Sequence, residues 1–390
     1  MGALASRRNS SCREGDDFDA VAGAVDARAT AASGRHYGGV PVKVAYLLPS
    51  SGPAGIWAPA CQAAAAVAAA EINAAGGILG EEVELLFGDS GLTEREATAT
   101  LQTLVEVEGA DAIIGAHTSN IRDVISRRLA GRLPYVYTAQ YEGVPCGPST
   151  VAIGSTDDEL LAPGLHWLIN EKNAQRFFFV GNDYIWPHMA LGTAKRLIKH
   201  YNRELVGQVF MPIGRVEHDE VLRQIAVAQP DVVVIVLVGN CAITFNRAFA
   251  KASLDEKALR LALVADETVI HGVGADGTNN LYTVSNYFAD RRSRSNDRFL
   301  ELYHDAFGTL APPVSAGSVG CYEGLHVLAG LARKQGTTDS VILSNVLRRS
   351  MTREAARHSL SSMPVGQHPQ VHIAAAEGLS LRVVSSITSH

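Results

Sequence analysis

From Val42 onward the chain alternates short apolar runs with segments of helix length, and at Arg176 that alternation begins again. Adjacent parallel strands need a crossover connection, usually a helix, so this rhythm folds as a parallel sheet with helices on its faces. In the first round the patterning predicts strands over 42–48, 83–87, 112–114 and 134–137, with helices over 58–73, 93–107 and 121–131. Gly76 and Gly77 stop the first helix. In the second round it predicts strands over 176–180, 204–210, 231–237, 259–264 and 281–285, with helices over 189–200, 218–229 and 242–252. Two rounds in 390 residues mean two cores rather than one. Two further helices within 297–334, separated by 308–313, are expected to return to the first unit, and the segment from Met363 reads as short strands. In open α/β sheets ligands sit outside the carboxyl ends of the strands. Gly115-Ala-His-Thr-Ser119 and Val238-Gly-Asn240 both leave a strand through glycine and polar residues into a helix start. Two such ends facing each other would make a cleft.

Several chemistries are excluded. A net charge of −6 with no concentrated basic face argues against direct nucleic-acid binding. Arg291, Arg292 and Arg294 form only a short run flanked by Asp290 and Asp297. The five cysteines have neither CxxC nor metal-ligand spacing, which fits a reducing compartment better than an oxidising one. Gly272 to Gly277 spells GxGxxG, but a strand follows it instead of preceding it, so no dinucleotide loop is expected. His368 and His372 lack the helix and the glutamate of a zinc motif, and Ser318 lacks the first glycine of a nucleophile elbow. No metal, cofactor or catalytic residue is therefore assigned. Glu142 with Cys146 is the one arrangement that suggests an amide hydrolase, and a turn around Val144 to Pro148 is the plainer reading.

Residues 1–40 read as a disordered tail. Ser6-Arg-Arg-Asn9 lacks the apolar run that a twin-arginine export signal requires, and no later apolar run is long enough to span a bilayer. On that basis a cytoplasmic location without membrane insertion is expected.

Four segments then narrow the reading: Val44-Ala-Tyr-Leu-Leu-Pro-Ser-Ser-Gly52, Glu71-Ile-Asn-Ala-Ala-Gly-Gly-Ile-Leu-Gly80, Gly115 to Arg122 with Tyr137-Thr-Ala-Gln-Tyr-Glu-Gly143, and Val180-Gly-Asn-Asp-Tyr-Ile-Trp-Pro187. Together they resemble the type I periplasmic-binding-protein superfamily, and within it the amide and urea branch. Weaker matches are Val238 to Asn240, Asp266-Glu267, Asn286 to Phe288 and Cys321 to Glu323. The resemblance implies an α/β fold of two Rossmann-like parallel-sheet lobes joined by hinge strands, with 41–156 and 287–350 in lobe 1 and 157–286 and 351–390 in lobe 2. It implies that His117, Ser119, Tyr137 and Ala139 wall the cleft from lobe 1, and that Tyr184, Trp186, Gly239 and Asn240 close it from lobe 2. His117 and Ala139 depart from the branch pattern, and Gln140 leans toward its urea-type members.

The chemistry of these types suits a small neutral amide or urea-like ligand. Serine and tyrosine hydroxyls both donate and accept, so they can satisfy a carbonyl and an amide N–H2 whose unpartnered burial would cost roughly 1–3 kcal/mol per group. Aromatic faces can sandwich a flat molecule. The main expectation is a sensor of such a ligand, a negative regulator of an amidase or nitrile-degrading operon acting through an antiterminator-type protein. The alternative is the substrate-binding protein of an ABC transporter, with a permease as partner, for urea, short-chain amides or branched-chain amino acids. Homo-oligomerisation stays open.

Overall fold

The computed structural model describes residues 39–147, 149–350 and 370–388. The expectation for residues 1–40 as a tail therefore lies outside the described residues, save for Gly39 and Val40, and so does His368.

Lobe 1 is built on a five-stranded parallel sheet of β1 (Val42–Leu48), β2 (Val83–Asp89), β3 (Ala112–Gly115), β4 (Tyr135–Tyr137) and β5 (Thr150–Ala152), ordered β2-β1-β3-β4-β5. Its helices are α1 (Ala58–Ala74), α2 (Glu94–Gln102) and α3 (Ser119–Leu129). Lobe 2 holds a seven-stranded sheet of β6 (Arg176–Asn182), β7 (Glu204–Met211), β8 (Val232–Val236), β9 (Leu259–Ala262), β10 (Leu281–Ser285), β11 (Gln370–Glu377) and β12 (Ser380–Thr388), ordered β12-β11-β10-β9-β8-β6-β7. The last two strands form an antiparallel hairpin against β10, and the rest are parallel. Its helices are α4 (Asp157–Lys172), α5 (Ile185–His200), α6 (Asp219–Ala228), α7 (Asn240–Lys251) and α8 (Glu267–Val273). The chain then returns to lobe 1 with α9 (Arg294–Phe307), α10 (Ala316–Gln335) and α11 (Ser340–Ser350).

Both sheets are covered on both faces, which is why their central strands are apolar without alternation. Val232–Val236 is buried at every position. One face of the first sheet packs on α1, α9 and α10, the other on α2 and α3. Alanine dominates the buried side of α1, so α10 can approach it closely. The stretch Pro53–Ala74 is long and apolar enough to cross a membrane by length and composition, a property the sequence reading had denied to any segment. Here that apolarity is spent on the core of lobe 1.

Elements absent from the sequence reading have visible causes. Helix α4 carries Pro163-Gly164 in its middle, a pair that reads as a breaker, while Thr156 and Glu159 form a reciprocal cap that starts it. Strand β5 spans three residues, too few for a pattern. Helix α5 starts at Ile185, four residues before the position read from sequence.

The Glu71 to Gly80 signature has a local physical meaning. Asn73, at the end of α1, donates from Nδ2 to the carbonyl of Val83 (3.0 Å) and accepts the Val83 N–H on Oδ1 (2.8 Å). This clamp fixes where β2 begins, and Gly76 and Gly77, at φ 105° and 73°, make the turn between them. Asn73→Ala should leave both Val83 groups without their amide partner and cost about 2–3 kcal/mol in denaturant unfolding. A loss below half of that would show that the clamp is dispensable.

Candidate functional site

The carboxyl ends of the two sheets face each other across a cavity of about 160 Å³. From lobe 1 it is walled by Trp57, the β3–α3 loop Ala116–Ser119, the segment Tyr137–Gln140 after β4, and Ile153 to Ser155 after β5. Lobe 2 contributes Tyr184 and Trp186 after β6, Val238 after β8, Leu263 to Asp266 after β9, and Ser285 and Asn286 at the end of β10. Tyr287 and Phe288 line the cavity where the chain crosses back to lobe 1. The first turns of α10 close one end with Ala316, Val319 and Glu323.

Six of the eight residues singled out from the sequence line this cavity: His117, Ser119, Tyr137, Ala139, Tyr184 and Trp186. Gly239 and Asn240 do not. Gly239 is buried against lobe 1 and Asn240 is exposed, because the chain turns into α7 just past Val238 and carries both away from the cavity.

The expected hydroxyl donors are already engaged. Ser119 Oγ donates to Glu142 Oε2 (2.8 Å), and Tyr137 Oη donates to the carbonyl of His117. Trp186 Nε1 donates to Asp157 Oδ1 (2.7 Å). Arg122 is buried beneath this wall, bonded to Glu142 and to Asp123 Oδ1, with its guanidinium 5.3 Å from the centre of the Tyr137 ring. Burial is the largest single effect and works to neutralise it, but Glu142, Tyr137 and Asp123 together more than offset this and hold the charge firmly. Glu142 is thereby locked into an ion pair, so its role beside Cys146 is structural. Ser119 and Tyr137 thus shape the wall and have only acceptor capacity left, rather than a free proton.

Burial also sets the charge state of the cavity. His117 is pushed down to about 4, chiefly by desolvation, and is neutral near pH 7 while Tyr135 Oη sits 3.0 Å from its Nε2. Desolvation raises Asp157 to about 7 and Asp266 to about 6. Among the described residues lining the cavity there is no lysine or arginine, whereas Asp266 and Glu323 both face it.

Trp57 was missed from the sequence. It sits on the short 3-10 turn Pro53–Trp57 and packs against the cores of both lobes. Its indole also faces Asp266 across the cleft and counters the rise of that carboxyl. The signal available was the apolar Gly55-Ile-Trp57 following a proline-rich loop at a strand end.

The raised Asp157 carboxyl has a sign. Its proton binds more tightly in the folded chain (about 7) than at the ordinary 3.8, so its contribution to stability is full below about 4 and is lost as pH rises through 7. Asp157→Asn keeps an acceptor for Trp186 and should flatten the decline of melting temperature between pH 4 and 7. An unchanged slope would assign that titration to another group.

A family model described as periplasmic binding protein matches residues 41–374. The fold is similar to a solved solute-binding protein of an ABC transporter from R. palustris in complex with 4-hydroxybenzoate: 16% identity, 90% of this chain and 97% of that chain covered, TM-score 0.77. An amino acid ABC transporter substrate-binding protein from Pseudomonas fluorescens Pf-5 is similar at 15% identity, 90% and 97% coverage and TM-score 0.75. A leucine binding protein from Thermotoga maritima MSB8 is similar at 19% identity, 89% and 99% coverage and TM-score 0.74. These identities speak for a shared fold and not for a shared ligand. The family match overturns the cytoplasmic location expected from the missing export signal, since the matched family is one of periplasmic binding proteins. With two parallel-sheet lobes closing on a cavity and a match over most of its length, the chain belongs to the periplasmic binding protein family.

Proposed function

We propose that this protein is the solute-binding component of an ABC-type transporter, and that it takes a small solute with an N–H-bearing head, an amide or amine, on a flat or branched apolar body. The observation that carries the reading is the cavity itself: aromatic and aliphatic walls, acceptor carboxyls at Asp266 and Glu323, and no cationic side chain among its described lining residues. N–H groups of a ligand find acceptors there. A lone carboxylate, as in the hydroxybenzoate bound by the R. palustris neighbour, would meet two carboxyls and no counter-charge.

Size sharpens the amide expectation. An apolar cavity of about 150 Å³ accommodates a benzene ring, so a cavity of about 160 Å³ suits a ring or a branched chain. Urea would leave most of it empty. Its four heavy atoms also cap the binding free energy near −6 kcal/mol, or tens of micromolar, at about −1.5 kcal/mol per atom. The operon-sensor reading rested on the amide-branch resemblance together with a missing export signal, and with the cytoplasmic location gone the transport reading replaces it. One observation favours a second ligand class, the branched amino acids. Thr118 caps α3 without a side-chain bond, leaving first-turn N–H groups at the cavity wall that suit a carboxylate, while Asp266 opposite suits an ammonium.

The test is a thermal-shift panel of benzamide, isovaleramide, urea, L-leucine and benzoate. A ligand at a hundredfold its Kd should stabilise by about 2.7 kcal/mol. Benzamide or isovaleramide should shift the midpoint and Tyr184→Ala should weaken that shift, whereas a response to benzoate alone would overturn the ligand class.

A further inference from the structure

The two lobes come into backbone contact at Gly239. It precedes α7 with φ 52° and ψ −125°, and its carbonyl accepts from the N–H groups of Ala242 and Ile243, so its place at the head of that helix is fixed. A Cβ built there would lie 1.9 Å from the carbonyl oxygen of Pro53 and 3.0 Å from Cα of Ala54, both on the lobe 1 turn that carries Trp57. Real Cβ atoms essentially never come within 3.0 Å of such neighbours, and here those neighbours are backbone, which cannot swing aside. Ile56 and Trp57 of the same turn pack against the lobe 2 core.

We infer that residue 239 sets the depth to which the cleft closes. Without a side chain there, the Pro53–Trp57 turn seats on the head of α7, and Trp57 comes down beside Asp266 as one wall of the cavity. With a side chain, the lobes stop short, Trp57 stays lifted and water enters. Gly239 is thus a positioning residue: it governs affinity through closure and touches no solute. The inference rests on the proposed reading only in that a solute drives closure; the contact itself is independent of the solute's identity.

Two measurements test it. Gly239→Ala should weaken the strongest ligand of the panel by at least roughly tenfold, because the closed form that binds becomes a minor population. Solution scattering should then show that saturating ligand no longer compacts the variant as it compacts the parent. Binding within twofold of the parent together with normal compaction would overturn the inference. Since an L-residue at this φ is strained and the variant can misfold, the double variant Ala54→Cys with Asn240→Cys keeps Gly239 in place. Treated with a short bifunctional thiol reagent and mapped by mass spectrometry, it should form the 54–240 link at least roughly tenfold faster with ligand present. A rate indifferent to ligand would overturn the inference. If no panel compound shifts the parent protein, the ligand reading fails on its own, and the ligand-free double variant still decides: a 54–240 link supports the contact, and its absence overturns it.

Discussion

The indole of Trp57 sits where three hydrophobic clusters meet, and the cleft depends on it. It is anchored in lobe 1 at the head of α1, yet its ring packs into the core residues of lobe 2. Removing a large aromatic surface from water is worth a few kcal/mol. The part of that gain made against lobe 2 needs the lobes close, so one side chain links the burial of apolar surface to the geometry of the cavity. The carboxyl of Asp266 beside it owes its raised affinity for protons to the same exclusion of water. Closing the lobes and tuning the polar groups are therefore one event, seen from the apolar and the polar side.

Much of the architecture was legible because parallel sheets declare themselves. Strands buried on both faces must be continuously apolar, and Val232–Val236 could be little else. The unread elements were those whose local chemistry contradicts their role. Helix α4 keeps Pro163 and Gly164 because its reciprocal cap and buried leucines outweigh the disruption. The strands of the C-terminal segment were read as strands, but their joining as an antiparallel hairpin to a parallel sheet is an arrangement that no pattern of strand–helix alternation can announce.

The site was legible in part, and the limit is instructive. The serine, tyrosine and tryptophan that the resemblance singled out at strand ends line one cavity. Residue type predicted availability poorly, because a hydroxyl in a wall meets other wall residues first. Ser119 is engaged by Glu142 and Trp186 by Asp157, partners 23 and 29 residues away whose proximity only the fold creates. Location failed for a different reason. It was inferred from what the first residues lack, and a missing pattern is a weaker physical statement than a pattern of strands and loops spread over most of the chain.

The return of α9 and α10 to lobe 1 has a consequence for how the molecule assembles. The alanine-lined face of α1 is made early, but its packing partner ends at Gln335, more than 250 residues later along the chain. Lobe 2, by contrast, can gather β6 to β10 from a nearly continuous stretch. Folding that waits on such distant contacts is slow, and it leaves apolar surface uncovered in the interval. During synthesis lobe 1 starts first yet stays open until α10 has emerged, and its unfinished apolar helix is what a chaperone would meet.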